Sequence, residues 1–420
     1  MLTYNLRNVK IMMKKYTCDK LLVMKKILLF LTVFLFTIIP SFGIEENLTF
    51  LYINGSNNND TKMKDWYING VNKLHPVLKE KFEENESIKK WAQENKLTID
   101  DDPQIFFWGY DSKEDLDFVK DRLNLSKAFS STLAYGIRSL LTQFLHDAIW
   151  VQKTHNMLPL LDSLNDRVKE QYNNGKHVIL YGYSAGTFIN YQYMIYKLPY
   201  IRPEKLFSAL NMDEEFMTFV KENPAKNTCL SALSHDKGKI GVISGTGHLV
   251  LNQDKERLKE NYLKLDEVTE QYCAPEGAVK GFVNFASPIP LFYSDISDKN
   301  YEITFFNKYA IKYVLENGLY FLTVNFREDP LGFPSGRNLT IPQYEEILDL
   351  TLENPTGVIY DNSSVWSKRS ALFAHTSYWS ARSVFAKAVV KSFVEGTKFQ
   401  YNEEYRNKVI KNQKKKSEEI

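Results

Sequence analysis

The sequence predicts an α/β fold: a mostly parallel central sheet with helices on both faces. Three observations predict it. Short apolar runs alternate with longer helical stretches along the chain. The runs near the middle are apolar without a polar face, as expected of strands covered on both sides. Each run ends in a Gly, Asn or Pro turn rather than in a hairpin signal. The 420 residues leave room for one large domain or two ordinary ones, and at 44% apolar and 14% aromatic they can build a sizeable core.

The elements follow in order. Met24-Lys25-Lys26 is a basic start to a continuous apolar run, Ile27 to Ile39, broken only by Thr32 and Thr37, before Pro40-Ser41-Phe42-Gly43. That pattern reads as a secretory signal peptide cleaved after Gly43, with residues 1–23 an upstream extension. The run is short for a bilayer span, so no stable membrane span is expected after cleavage. Losing residues 1–43 removes seven basic residues and one acidic one and takes the formal net charge from +2 to −4, a balance that predicts no affinity for nucleic acid. "LTFLYI", Leu48 to Ile53, is the first strand and runs into Asn54-Gly55-Ser56. A charged helical region spans roughly 62–96, and "PQIFFWGYD", 103–111, is the second strand. A long helical stretch covers 126–169. "HVILYGY" is the third strand, with a helix over 187–197. Residues 201–275 are mixed, with helical pieces and a β-like "KIGVIS", and read as a cap or insertion. "VKGFVNFASPIP" (279–290) and "LYFLTVNFREDPLGFP" (319–334) are two further strands around a helix at 300–317. Residues 365–395 hold a His-bearing loop and a last long helix, and 397–420 form a charged tail. The fold is therefore expected over 44–396.

In such sheets the functional groups gather at the carboxyl ends of the strands. Gly182-Tyr183-Ser184-Ala185-Gly186 follows its strand directly and opens a helix, which is the context of a nucleophile elbow. Small neighbours are needed because the serine sits on a tight, strained turn. The amides of Ser184 and Ala185 would stand at the helix N-terminus, where partial positive charge favours an anion. A serine needs a base and the base an acid, in the chain order Ser, acid, His. Downstream of Ser184 lie only His235, His248 and His375. His375 comes late, ahead of the final helix. His248 precedes the acid, which is the wrong order, and His235 reads as a solvated turn. Asp329 stands at the end of the intervening strand, with Glu328 as its rival; Pro330 then stops the ladder. The second oxyanion donor is expected from the loop after the first strand, where Gly55 permits close approach and Ser56 is the donor residue. Phe106-Phe107-Trp108 and Leu291-Phe292-Tyr293 read mainly as core. No zinc spacing, EF-hand loop or phosphate-binding glycine loop is present, so neither metal nor cofactor is expected. Cys229 and Cys273 are an even pair in an exported chain and can form one disulfide.

With these residues together, the chain resembles the α/β-hydrolase superfamily and, within it, the class 3 (fungal lipase-like) lipases, over roughly Leu48 to Val394. Gly182–Gly186 looks like the elbow, "FVNFASPIP" like the strand that ends in Ser-Pro, "VNFREDPLGFP" like the segment bearing the triad acid, and Ala374-His375 like the late histidine. The chain departs from that pattern in having Tyr-Ser-Ala-Gly at the elbow and no Pro-Arg after the Ser-Pro. The resemblance implies an exported esterase or lipase acting through Ser184, Asp329 and His375 on an ester, with lipid esters the family's substrate class. The alternative is a non-catalytic exported binding or surface protein on the same fold.

Overall fold

The computed structural model describes residues 46–56, 61–109, 111–122, 149–234, 240–243, 249–251, 255–289, 305–333, 356–367 and 369–402, with a few single positions elsewhere. The leader, residues 1–43, and most of the tail after Tyr401 lie outside them, as do His235, His248 and Leu291-Phe292-Tyr293.

The elements run β1 (Glu46–Ile53), α1 (Thr61–Glu83), α2 (Glu86–Glu94), β2 (Leu97–Ile99), β3 (Gln104–Phe106), α3 (Lys113–Arg122), α4 (Thr154–Asn173), β4 (Lys176–Tyr183), α5 (Ala185–Lys197), α6 (Pro203–Ala209), α7 (Glu214–Glu222), α8 (Leu230–Ser234), β5 (Gly241–Ile243), β6 (Leu249–Leu251), α9 (Lys255–Leu263), α10 (Leu265–Tyr272), β7 (Val279–Phe285), α11 (Phe305–Glu316), β8 (Tyr320–Phe326), β9 (Val358–Val365), α12 (Ala371–Ala374) and α13 (Arg382–Tyr401). The main sheet has the order β2-β1-β4-β7-β8-β9. Every pairing in it is parallel. β3 also pairs with β1, beside Leu51–Ile53 where β2 pairs beside Glu46–Leu48, so the two short strands share one edge.

Successive side chains of a strand point to opposite faces, and the two cores follow from that. Leu51 and Ile53 of β1 join Val178 and Leu180 of β4 and Phe282 of β7 in one cluster, closed by Leu161, Leu164 and Val168 of α4 and Phe188 and Ile189 of α5. Phe50 and Tyr52 join Ile179, Tyr181, Val283 and Leu322 in the other, closed by Tyr67, Leu74 and Leu78 of α1 and Phe385 and Val389 of α13. Both faces of β4 are thus dry from Val178 onward, which is why its sequence turns apolar after Lys176-His177. Each large apolar side chain buried this way contributes about 1.5–3 kcal/mol.

Three features differ from the sequence reading. The helical region at 62–96 is two helices, because Asn85 accepts from the amides of Ser87 and Ile88 and restarts the chain as an N-cap. β2 and β9 were not expected: β9 reads "VIYDNSSV", rich in residues that avoid strands, and sits at the sheet's edge with Asp361 and Ser363 half-buried and Ser364 exposed. Within "KIGVIS", Gly241–Ile243 forms a strand, but outside the main sheet, in an antiparallel pair with β6. The last residues of segment 201–275 are tied to neighbouring helices: the Ala274 amide donates to Lys197 O at the end of α5, and the Asn165 side chain donates to Cys273 O. A disulfide joins Cys229 to Cys273.

Candidate active site

β4 ends at Tyr183 and α5 begins at Ala185, so one residue makes the whole turn. That residue is Ser184, held at φ 52° and ψ −121°. An L-residue there costs roughly 1–3 kcal/mol, which surrounding structure must offset. Three contacts hold it. The Ser184 amide donates to Phe285 O on β7 at 3.0 Å. Its carbonyl accepts from the Thr187 amide at 3.0 Å and from Thr187 Oγ1 at 2.7 Å. The Ser184 amide is therefore spent on the sheet, contrary to the expectation that it faces the reaction; Ala185 is the elbow residue left with an N–H at the start of a helix.

Glycines make the turn sterically workable. A Cβ on Gly182 would lie 2.6 Å from Gly186 O, and one on Gly186 2.6 Å from Ile53 O. A Cβ on Gly55 would lie 2.8 Å from Ser184 Cβ and 3.0 Å from Tyr183 O. The loop after β1 is thus in contact with the serine itself, and Ser56, half-buried, is the next residue along it. Asn54 fixes that loop. It is fully buried, its Nδ2 donates to Gly55 O at 2.9 Å, its Oδ1 accepts from the Trp108 amide at 2.9 Å, and its carbonyl accepts from Trp108 Nε1 at 2.7 Å. Phe106 and Trp108 are buried, as the core reading expected.

His375 follows α12 and reaches back across the sheet. Its Nε2 lies 3.1 Å from Ser184 Oγ, and its Nδ1 lies 3.0 and 3.2 Å from the two Asp329 carboxylate oxygens. A carboxylate only accepts, so the proton sits on Nδ1 and leaves Nε2 free to accept from the serine hydroxyl. The Asp329 carboxylate is fully enclosed and also accepts from the Leu331 amide at 2.9 Å and the Tyr378 hydroxyl at 2.9 Å. Glu328 points elsewhere and accepts from the Ser367 amide. The structure therefore brings together Ser184 from the end of β4, Asp329 from the turn after β8 and His375 from the end of α12.

Comparison with protein families, curated proteins and solved structures finds no match to this chain. Its chemistry has to be read from its own geometry.

Two tyrosines that sequence reasoning missed complete the arrangement. Tyr378 accepts from the Phe326 amide at 2.8 Å while donating to Asp329, and its ring stacks on Phe326 at 4.2 Å. Burial, reinforced by the Asp329 charge, pushes its phenol well above the ordinary range, so it stays a donor. Tyr183 donates to His375 O at 2.9 Å; burial first, then Asp329, pushes its phenol up too. Beneath the elbow runs a buried polar ladder. Ser287 Oγ donates to Thr187 Oγ1 at 3.2 Å, the Ser287 amide to Asn325 Oδ1 at 2.9 Å, and Asn190 Nδ2 to Asn284 Oδ1 at 3.0 Å. The signal for it was the polar residue recurring late in each apolar strand: Asn284 and Ser287 in "NFAS", Asn325 in "VNF". Among the described residues no group of three His, Cys, Asp or Glu side chains is placed to hold a metal, and no helix is long and apolar enough to cross a membrane.

Proposed function

We propose that this chain is an exported serine hydrolase cleaving carboxylic esters through an acyl-enzyme. The observation that carries the reading is the continuous chain of hydrogen bonds from Ser184 Oγ to His375 to Asp329, built on a serine in a strained strand-to-helix turn. Ser184 Oγ attacks the ester carbonyl carbon as His375 Nε2 takes its proton. Asp329 holds the imidazole by Nδ1 and stabilises the cation that forms. The oxyanion is received by the Ala185 amide and by an amide of the Gly55-Ser56 loop, each such donor being worth about 10²–10³ in rate. The tetrahedral intermediate collapses, His375 returns the proton to the departing alcohol, and the acyl group stays on Ser184. Water activated by the same histidine then releases the acid.

The parallel sheet, with these groups at its carboxyl ends, is compatible with the α/β-hydrolase arrangement, and the four motifs that resemble class 3 lipases make a lipid ester the first substrate class to try. Export follows from the Met24–Gly43 pattern, and the Cys229–Cys273 disulfide suits an oxidising compartment. The test is fluorophosphonate labelling of the purified mature chain beside Ser184→Ala, followed by p-nitrophenyl esters of graded chain length. Label on Ser184 that vanishes in the variant, with ester turnover, is expected. A folded wild-type chain that takes no label would leave the binding-protein alternative standing.

A further inference from the structure

A second cleft lies at the opposite end of the sheet. One wall is a face of α11, where Tyr309, Lys312, Tyr313 and Glu316 recur at helical spacing. The other is the chain leaving the elbow helix α5: Tyr200, Ile201 and Arg202, then Lys205 and Leu206 of α6. Glu276, which precedes β7, and Asn317, which precedes β8, place the cleft at the strands' amino ends. Ser184 is at the carboxyl ends, so about the length of a seven-residue strand, ~20 Å, separates the two.

Its lining has a definite chemistry. Arg202 and Lys205 are exposed cations with no carboxylate partner among the described residues, whereas Lys312 is 3.5 Å from Glu316. Rings and aliphatic groups (Tyr309, Tyr313, Ile201, Leu206) supply apolar surface. Tyr200, 7% exposed, also lines the cleft; its hydroxyl is closed off from solvent and has no hydrogen-bond partner among the described residues. Across the cleft, burial and the Glu276 charge push the Tyr313 phenol up and keep it neutral. The cleft encloses about 240 Å³, just below the usual range of small-molecule sites, which suits a single-ring ligand. It is also preformed. Ile201 and Thr228 exchange backbone hydrogen bonds of 2.9 and 2.8 Å, and the disulfide fixes the residue after Thr228 to Cys273. Little ordering has to be lost on binding.

We propose that this cleft binds a small amphipathic carboxylate, its ring or short chain between α11 and Leu206 and its carboxylate toward Arg202 and Lys205. The site does not depend on the hydrolase reading. The experiment is ligand-observed NMR titration of the mature, oxidised chain with phenylacetate, 2-phenylethanol and benzylamine, in Ser184→Ala as well as wild type so that acyl chemistry plays no part. Phenylacetate is expected to bind saturably in both, at least tenfold tighter than the neutral alcohol or the amine, and more weakly as salt rises. Arg202→Gln with Lys205→Gln should weaken it at least tenfold. Both cations are exposed, so their replacement leaves the fold intact. No saturable binding by about 10 mM, equal binding of the alcohol, or indifference to the double variant would each overturn the proposal. So would loss of phenylacetate binding on fluorophosphonate labelling of Ser184, which would put the ligand in the other site.

Discussion

Ser184 sits at φ 52°, ψ −121°, and comparing two variants isolates the cost of holding it there. Ser184→Ala and Ser184→Gly both lose Oγ and with it the 3.1 Å contact to His375. They differ in that alanine keeps a Cβ in a region disfavoured by about 1–3 kcal/mol, while glycine enters it freely. Glycine adds about 0.5–1 kcal/mol of unfolded-state entropy in the other direction. It also removes the Cβ against which Gly55 is packed so closely. The balance is a Ser184→Gly protein about 0.5–2 kcal/mol more stable than Ser184→Ala, the reverse of the ranking in a helix interior. Over a folded unit of Glu46–Ile420, a thermal shift would be only about 1–2 °C, because the unfolding entropy is large. Urea denaturation is the better assay. With m near 3 kcal/mol/M the difference is a midpoint shift of roughly 0.2–0.7 M at unchanged m. If Ser184→Ala unfolds at the same urea concentration as Ser184→Gly, or at a higher one, the elbow stores no strain and the argument fails.

Gly55→Ala puts a Cβ 2.8 Å from Ser184 Cβ; it should cost about 1–3 kcal/mol by overpacking and slow fluorophosphonate labelling at least tenfold, which timed gel fluorescence reads. Tyr378→Phe removes one of the hydrogen bonds to the Asp329 carboxylate and strands the Phe326 amide; kcat on a p-nitrophenyl ester should fall about tenfold with KM little changed. Reduction, or Cys229→Ala with Cys273→Ala, opens a loop of sequence separation 44 and should cost up to about 4 kcal/mol in urea unfolding on the chain-entropy account. His75 is held neutral between the Tyr52 hydroxyl, 3.2 Å from Nδ1, and Asp100 O, 3.1 Å from Nε2, and burial lowers its pKa. Its unfolded form takes up a proton first, so its contribution is fully present above the ordinary histidine pKa near 6.5 and is lost as pH falls through the lower folded value. His75→Gln should flatten that acid limb in urea midpoints measured from pH 7 to pH 4.

The parallel core and the three groups at its strand ends were legible because each left a local mark. β4, β7 and β8 are buried on both faces and carry no polar periodicity, and Gly182, Gly186 and Pro330 punctuate their ends. Chain order separated His375 from His248, and the turn at Pro330 separated Asp329 from Glu328. What stayed hidden depends on contacts distant in sequence. Whether the Ser184 amide faces solvent or the sheet is decided by Phe285 O, about a hundred residues away. Tyr378 is one of 25 tyrosines, and only the folded chain brings its hydroxyl to Asp329. β9 was missed because an edge strand tolerates Asp, Asn and Ser where a central strand does not. Segment 201–275 read as a cap or insertion because composition says nothing of where such a segment packs; the contacts of its last residues with the Lys197 carbonyl and the Asn165 side chain are equally invisible in the sequence.

The strain at Ser184 is not isolated. Ala286, one residue past β7 and fully buried, also has φ 54°. The two lie at the ends of neighbouring strands and are joined through one hydrogen bond, Ser184 N–H to Phe285 O. The bend at Ala286 carries the chain on to Ser287, whose amide donates to Asn325 and whose hydroxyl donates to Thr187, the residue that holds the Ser184 carbonyl. An extended residue at 286 would continue β7 along its strand instead of turning it into that polar ladder. The elbow is therefore held on its β7 side by a second unfavourable conformation, and what offsets both is the set of buried hydrogen bonds linking Thr187, Ser287 and Asn325. Those bonds are fully enclosed, where leaving any one partner unpaired costs about 1–3 kcal/mol. The ladder thus locks the serine's position more firmly than the turn residues alone can, and it explains why polar side chains stand late in strands that are otherwise apolar.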